Sequence, residues 1–409
     1  MNLSEKILSD PVNRWIFENS IHKCFLVGGY VRDVLIGRSY EDRDYIGRNI
    51  KTLSLKTAKK FNGKVIYLKK YNMYRVVTNE KNFIDFTEMG RNVVSDLKGR
   101  DFKINAIAWS LGDGIVDPLC GTDDIRRKIV QHIHDKSLLK DPVRCIRAFR
   151  IAADLHFSVE NKTLTSIKKN VKHLKSVASE RITDECIKLM NIHNNSELIL
   201  LMLNTHVLHD IIPLSSDILN NNICLIKELD DMIRYIKTII PVSYSSYDLI
   251  DMLDTKIKQN LSRYGLLKLA LLTFTEDIES NSLSRLTIGT SILRRVQSIH
   301  AALRISMGRL TRNKLYGIFR LSNECMEEVS LIISVIKKRK DLYYFESVDK
   351  MKEIISRKTG LTGYDIQKIA SLAPGRKIGI IKEEMYRQMF LGNLQNKDDV
   401  LKFLKANLT

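Results

Sequence analysis

The sequence predicts a small α/β head followed by a long all-α body, and three observations carry that expectation. Short β-like runs alternate with helical ones through about residue 135. From Asp141 onward apolar residues recur at helical spacing. Only 6 prolines occur in 409 residues and no low-complexity linker separates the parts, so they are expected to abut through helices.

In chain order, the β-like runs are Cys24 to Val27, Val65 to Leu68, Tyr74 to Val77, Phe83 to Thr87 and Gly114 to Asp117. The helical runs include Arg147 to Leu155, Ile182 to Met190, Leu266 to Leu272 and Val329 to Ile336, with Asn, Ser and Gly between them. Asp141 before Pro142 reads as an N-cap followed by a first-turn proline, and Gly392 as a helix C-cap. No fixed-period repeat is present.

Composition bounds the function. Hydrophobic residues make up 44% and charged residues 28%, ordinary values for a soluble globular chain. The longest aliphatic run, Leu198 to Leu203, is a buried-helix length rather than a membrane span. The amino terminus lacks the basic head and apolar core of a secretory signal, which predicts a cytoplasmic protein. Cys24, Cys120, Cys145, Cys186, Cys224 and Cys325 stand far apart without a C-x-x-C pair, against both a zinc knuckle and a disulfide framework. Lys and Arg total 66 against 47 Asp and Glu, a formal charge of +19. That excess suits a polyanionic partner, with nucleic acid the leading candidate; a genome that fills surfaces with Lys, Ile and Asn would give the same charge.

The chemistry concentrates near the front. An apolar run enters Gly28-Gly29 and a helix opens near Val31, a turn whose bare backbone amides can approach a phosphate closely. Arg32 adds positive charge. Asp42 and Asp44 are one residue apart, so on a strand both carboxylates face the same way and can share a divalent cation. Oxygen-only ligands suit magnesium; an exposed acidic turn is the alternative. Asp85 is a charge set between Ile84 and Phe86, costly unless it has a purpose or a partner. As a third carboxylate it would complete a centre in which two metals about 4 Å apart activate an RNA 3′-hydroxyl and stabilise the leaving pyrophosphate.

The run Leu26-Val-Gly-Gly-Tyr-Val-Arg-Asp-Val-Leu-Ile-Gly37 followed by Asp42-x-Asp44 resembles the first motif of the class II tRNA nucleotidyltransferase and poly(A) polymerase family. Further blocks follow in that family's order: Gly99-Arg-Asp-Phe-Lys-Ile-Asn-Ala106, Asp117-Pro-Leu-Cys-Gly121 with Asp124, Lys140-Asp-Pro-Val-Arg-Cys-Ile-Arg-Ala-Phe-Arg150, and Ser179-Glu-Arg-Ile-Thr-Asp-Glu185. Together they cover about the first 190 residues, and ordered blocks are far more specific than any single one. The resemblance implies a nucleotidyltransferase head over 1–136, a helical neck over 137–195, a body over 196–335 and a tRNA-binding tail over 336–409. It places Gly28, Gly29, Arg32 and Asp33 around a nucleoside triphosphate and Asp42 and Asp44 on magnesium, with Arg100, Asp101 and Asn105 near sugar and phosphates. The implied substrates are CTP, ATP and the tRNA 3′ end. Asp101 and Asn105 at a helix start, and Asp117 in a turn before Pro118, have structural readings as well.

Base choice has its own candidate pair. Asp141 and Arg144 lie at i and i+3, an acceptor beside a donor. Cytosine and adenine each present an amino donor next to a ring-nitrogen acceptor, whereas uracil and guanine present a carbonyl followed by N–H, so the pair admits C and A and refuses U and G. The family uses this Asp and Arg as a protein template. Here Lys140 stands where glutamate is usual, Gly99 where arginine is usual and Lys103 where threonine is usual. These departures bear on which of C, C and A are added. Arg147 and Arg150 extend the stripe and either hold phosphates or pair with acidic neighbours.

His206 with His209-Asp210 invites a metal phosphohydrolase reading, but a further His and Asp in suitable context are missing. Near the C-terminus, Leu361 to Ile366, Ala373 to Gly379 and Gly392-Asn-Leu resemble the family's tRNA-elbow tail, and Arg376, Lys377, Lys382 and Arg387 are candidate phosphate contacts. A poly(A) polymerase and a noncatalytic RNA-binding descendant of the family remain as alternatives.

Overall fold

The computed structural model describes residues 2–38, 42–78, 83–239, 244–277, 281–338, 343–356, 366–367 and 375–406. Contacts divide the chain into one unit of residues 1–185 with 204–210, and another of 186–203 with 211–409. The small mixed sheet and the helical remainder match the predicted fold class.

The first unit is built on strands β1 (Cys24–Val27), β2 (Arg43–Gly47), β3 (Lys64–Leu68), β4 (Met73–Val77), β5 (Phe83–Glu88), β6 (Ala108–Ser110) and β7 (Gly114–Val116). They form one sheet in the order β3-β4-β5-β2-β1-β6-β7. Neighbours are antiparallel except β2 and β5, which run parallel. A parallel neighbour requires a crossover, supplied by the helix Ile50–Lys60 and the β3–β4 hairpin. That crossover places Asp44 directly beside Asp85.

Alternation along the strands gives the sheet two apolar faces. Leu26, Tyr45, Phe86 and Trp109 are buried on one of them. Phe17, from helix α2 (Pro11–Asn19), meets the Trp109 ring edge-on at 4.9 Å, and Tyr45 stacks on Phe86 at 5.3 Å. Each such burial stabilises by roughly 1.5–3 kcal/mol. Phe25, Val27, Ile46 and Ala108 pack on the other face against Leu97. Asp44, two residues from Ile46, shares this second face, so the apolar packing that seats β2 also aims the carboxylate.

Helix α2 anchors the start of β2. Asp10 caps it, accepting from the Val12 and Asn13 amides at 2.9 and 3.0 Å, and its second oxygen pairs with Arg43 at 2.5 Å. Buried Asn13 donates to Tyr30 Oη at 2.6 Å and accepts from Tyr45 Oη at 2.5 Å. The N-terminal helices Leu3–Ser9 and Pro11–Asn19 add to the elements read from sequence.

After the sheet in the chain come α7 (Asp135–Lys140), α8 (Arg144–Leu155), α9 (Asn161–Asn170) and α10 (Ser179–Met190), the unit boundary falling inside α10. Pro142 precedes α8, and Val143 rather than Asp141 is its N-cap; Asp141 caps the end of α7 instead.

In the second unit the helix Arg263–Leu272 is the centre, with every residue from Tyr264 to Leu272 buried. Around it lie Ser216–Ile239, Thr290–Ser306 and Met326–Ile336. Arg263 forks onto Glu328, which is 0% exposed. Towards the C-terminus, Ile366, Met385, Val400 and Leu404 form a separate small core, and Gly392 ends the helix Arg376–Leu391 in the left-handed conformation. The turn residues Leu361 to Asp365 and Ala373-Pro374, and Glu41 beside the paired aspartates, lie outside the described residues. Among the described residues, no helix is long and apolar enough to cross a membrane.

Candidate active site

Strand β1 delivers the chain into Gly28, whose φ of 79° and ψ of −136° suit glycine. Its amide donates to Ile107 O at 3.0 Å. A Cβ there would lie 2.5 Å from Arg100 Nη1 and 3.6 Å from Asp44 Oδ2. Glycine at 28 therefore lets the Arg100 guanidinium lie over the turn beside Asp44. Helix α3 (Gly29–Ile36) begins at this point and opens its first turn, Gly29 and Tyr30, onto a cleft of about 480 Å³. Free amides and the helix dipole favour an anion at such an end.

The rest of the lining is charged: Arg32, Arg100, Arg147 and Arg150 with Asp33, Asp42, Asp44, Asp101 and Asp154. Arg32 is buried; it donates from Nε to Asp33 Oδ1 at 2.9 Å and from Nη1 to Asn105 Oδ1 at 2.5 Å. Asn105 passes the chain on, donating to Asp101 Oδ1 at 3.0 Å. Asp101 Oδ2 accepts from Arg147 Nη1 at 3.4 Å. Burial pushes the Asp101 carboxyl up, but Arg147, Asn105 and the Phe102 amide outweigh it, and the group ends below the ordinary carboxylate range. Burial pushes Asp33 up despite Arg32.

Arg147 and Arg150 stand one turn apart on α8 and share Glu185 of α10, at 3.0 Å from Arg147 Nε to Oε1 and 2.7 Å from Arg150 Nε to Oε2. Glu185 is 5% exposed, so two arginines facing the cleft are steered by one carboxylate behind them.

Asp44 differs from the other carboxylates. Neither it nor Asp42 has a hydrogen-bond partner among the described residues. Burial, with added repulsion from Asp85 and Asp42, pushes Asp44 up to about 6 even though Arg100 opposes the shift. A buried carboxylate beside two others is the electrostatic arrangement that a divalent cation relieves. Among the described residues no three His, Cys, Asp or Glu side chains converge as a cage. Two carboxylates with water and substrate phosphates completing the shell suit magnesium.

The sequence-derived residues are thus distributed unevenly. Gly29, Arg32, Asp33, Asp42, Asp44, Arg100, Asp101, Asn105, Arg147 and Arg150 line one cleft, with Gly28 beneath it. Asp85 is next to Asp44 in the sheet and accepts one hydrogen bond from Arg75 on each oxygen, at 2.7 Å each. Asp141 and Arg144 are adjacent, 3.8 Å apart, yet engaged elsewhere: Asp141 accepts from Arg181 at 2.9 Å, and Arg144 donates to Arg100 O at 3.0 Å and Gly99 O at 3.2 Å. In the second unit, Arg387 pairs with Glu384 at 3.1 Å and Lys382 lies 5.7 Å from the Tyr386 ring centre, both on the helix that also carries Arg376 and Lys377. His206 and His209 have ring centres 5.7 Å apart, outside the cleft.

Sequence reasoning missed Asp154, Arg75 and Arg181. Asp154 follows Arg147 and Arg150 at helical spacing, a signal that was available. It accepts from Arg38 at 3.1 Å. Arg75 and Arg181 have no local signal, since their partners are 10 and 40 residues away.

A mixed sheet presenting a Gly-Gly turn, a helix N-terminus and paired aspartates to one charged cleft defines a nucleotidyltransferase-type head. Comparison with known proteins places it further. Residues 24–131 match the poly A polymerase head domain family, and residues 156–219 match the family described as the probable RNA- and SrmB-binding site of polymerase A. The chain is 34% identical over 181 residues to the CC-adding tRNA nucleotidyltransferase of Synechocystis sp., a stretch that spans 43% of each protein. It is 24% identical over 413 residues to the CCA-adding enzyme of Enterococcus faecalis, covering 93% of this chain and 90% of that one. The fold superposes on the Thermotoga maritima CCA-adding enzyme complexed with tRNA, with a TM-score of 0.75 at 19% identity and coverage of 100% and 99%. The chain is thus similar to proteins of the class II tRNA nucleotidyltransferase and poly(A) polymerase family, and its residues 24–131 carry the match to the head domain.

Proposed function

We propose that the protein is a template-independent tRNA nucleotidyltransferase that adds C, A or both to the tRNA 3′ end from CTP and ATP. The observation that carries the reading is the single cleft in which the α3 N-terminus and four arginines face Asp42 and Asp44. The arginines match a triphosphate in charge, and the cleft volume of about 480 Å³ is in the range of small-ligand sites. Arg32, fixed by Asp33 and Asn105, and Arg147, fixed by Asp101 and Glu185, hold the polyphosphate in one orientation. Asp42 and Asp44 would hold magnesium, which when bound activates the RNA 3′-hydroxyl and stabilises the leaving pyrophosphate. The RNA 3′-oxygen bonds to the α-phosphorus as the bond to the β-phosphate bridge breaks, pyrophosphate departs and the hydroxyl proton is lost.

The parts of the chain take the roles of head (1–136), neck (137–195), body (196–335) and tail (336–409). Basic side chains of the tail, Arg376, Lys377, Lys382 and Arg387, would contact tRNA phosphates without reading sequence.

Labelled nucleotides offered with magnesium to three tRNA transcripts, ending before the first C, after both C residues and after CCA, test the proposal. Addition of C and A that stops at CCA assigns a complete CCA-adding enzyme, and activity on one truncated transcript alone assigns a CC-adding or A-adding specialist. Continued A addition past CCA would favour a poly(A) polymerase. No incorporation on any transcript would overturn the enzymatic reading in favour of RNA binding alone.

A further inference from the structure

Four residues form a row across the middle of the sheet. Asp44 of β2 is in register with Asp85 of β5, Asp85 with Arg75 of β4, and Arg75 with Ile66 of β3. Cross-strand partners share a face, so the Arg75 cation stands on the carboxylate-bearing side of the sheet, one strand beyond Asp85. Its Nε donates to Asp85 Oδ1 and its Nη2 to Asp85 Oδ2, both at 2.7 Å. Such a fork fixes the plane of a carboxylate as well as its place. Each carboxylate oxygen keeps a second lone pair, so Asp85 remains able to accept from another group. The pair is itself partly sheltered, with the Asp85 side chain 14% exposed and Arg75 35%. The Arg75 guanidinium also lies 5.0 Å from the ring centre of Phe83, two residues before Asp85 on β5, a second contact that restrains the cation.

Asp42, Asp44 and Asp85 place three negative charges at one end of two adjacent strands, and Arg75 is the cation that closes on the outermost of them. Arg100 balances the same cluster from the Gly28 side. We propose that Arg75 is a positioning residue for nucleotidyl transfer: it fixes the Asp85 carboxylate beside Asp44 and tempers the pull of the carboxylates on a divalent cation. This inference rests on the proposed reading of the cleft as a nucleotidyltransferase site. It separates two properties of one side chain. The positive charge sets how tightly a cation binds, and the fork sets whether the Asp85 carboxylate is held in one place.

The test compares wild type with Arg75→Gln, Arg75→Lys and Asp85→Asn, all as the full chain. Manganese binding is measured by electron paramagnetic resonance in the presence of a nonhydrolysable CTP analogue, and steady-state CTP incorporation is measured separately. Arg75→Gln is expected to bind manganese about tenfold more tightly, because a full positive charge beside the site is gone, and to lose at least about tenfold in kcat with the CTP KM little changed. Arg75→Lys keeps the charge without the fork, so its manganese affinity stays near wild type while kcat remains low. In an Asp85→Asn background Arg75→Gln should cause no further loss of kcat, since Arg75 acts through Asp85.

Wild-type manganese affinity together with wild-type kcat in Arg75→Gln would overturn the proposal. So would a kcat loss that adds in full to that of Asp85→Asn, and so would a lowered melting temperature as the sole change, which would assign Arg75 to the stability of the sheet. The nucleotidyltransferase reading fails by a different result, absence of incorporation by wild type, and the manganese comparison needs no turnover to be read.

Discussion

Glu185 sits behind Arg147, accepting from its Nε at 3.0 Å while its second oxygen lies 2.7 Å from Arg150 Nε. One buried acid thus orients two cations on the cleft wall. Removing one partner of a buried ion pair leaves the others uncompensated and costs about 3–5 kcal/mol. Glu185→Gln is expected to lower unfolding stability towards that range and to raise the CTP KM about tenfold. Urea unfolding and steady-state kinetics check both.

Gly28 makes a sharper prediction, because both its φ and its surroundings exclude a side chain. Gly28→Ala meets the Arg100 guanidinium and must hold a positive-φ conformation, outside the left-handed helical region, that costs a side-chain-bearing residue about 1–3 kcal/mol. Arg100 must move away from Asp44. The expected result is a melting-temperature loss together with weaker nucleotide binding, measured by thermal unfolding with and without CTP; an unchanged ligand-induced shift would contradict it.

The head shows which parts of this site a sequence displays. Asp42 and Asp44, the Gly28-Gly29 turn and the Arg147–Arg150 stripe depend on spacing within one strand, turn or helix, and spacing is visible in a sequence. Pairing of Asp44 with Asp85 depends on which strands become neighbours, and period-two alternation is the same for every strand. The fork of Arg75 on Asp85 inherits that ambiguity. Asp141 and Arg144 show the other limit: their i, i+3 spacing predicted adjacency, but the hold of Arg144 on the Gly99 and Arg100 carbonyls comes from tertiary packing. Helix α2 was within reach, since Asp10-Pro11 carries both an N-cap and a first-turn proline.

Those commitments of Asp141 and Arg144 shape the prediction for base choice. If Asp141 and Arg144 read the base as proposed, Arg144 would exchange backbone carbonyls for a ring nitrogen, and Asp141 would exchange Arg181 for an amino group. Arg144→Ala and Asp141→Ala should each reduce discrimination of CTP over UTP by at least about tenfold, the scale of one lost polar contact. Competition assays on a transcript lacking CCA measure it. Unchanged discrimination in both variants would place base selection elsewhere.

In the second unit, Lys268 is wholly buried, donating to Ile192 O at 2.8 Å and to Asn195 Oδ1, with its ammonium 4.9 Å from the Tyr264 ring centre. Burial pushes it from the ordinary value of 10.5 down to about 7, with Asp230 opposing the shift. Below pH 7 the amine is protonated in folded and unfolded chains alike. Between about 7 and 10.5 the unfolded chain binds the proton and the folded chain does not, so this group makes stability rise with pH across that window, by up to about 1.4 kcal/mol per unit. The difference in unfolding free energy between wild type and Lys268→Met should therefore grow in favour of wild type from pH 7 to pH 9. A difference independent of pH would contradict the assignment.

The most direct test of nucleotidyl transfer at Asp42 and Asp44 is labelled CTP and ATP incorporation into truncated tRNA by wild type, Asp42→Ala and Asp44→Ala, with tRNA affinity measured on the same preparations. Incorporation by wild type alone, with tRNA binding retained in all three, is the predicted result. Comparable incorporation by either variant would contradict the two-carboxylate centre on which the proposed function stands.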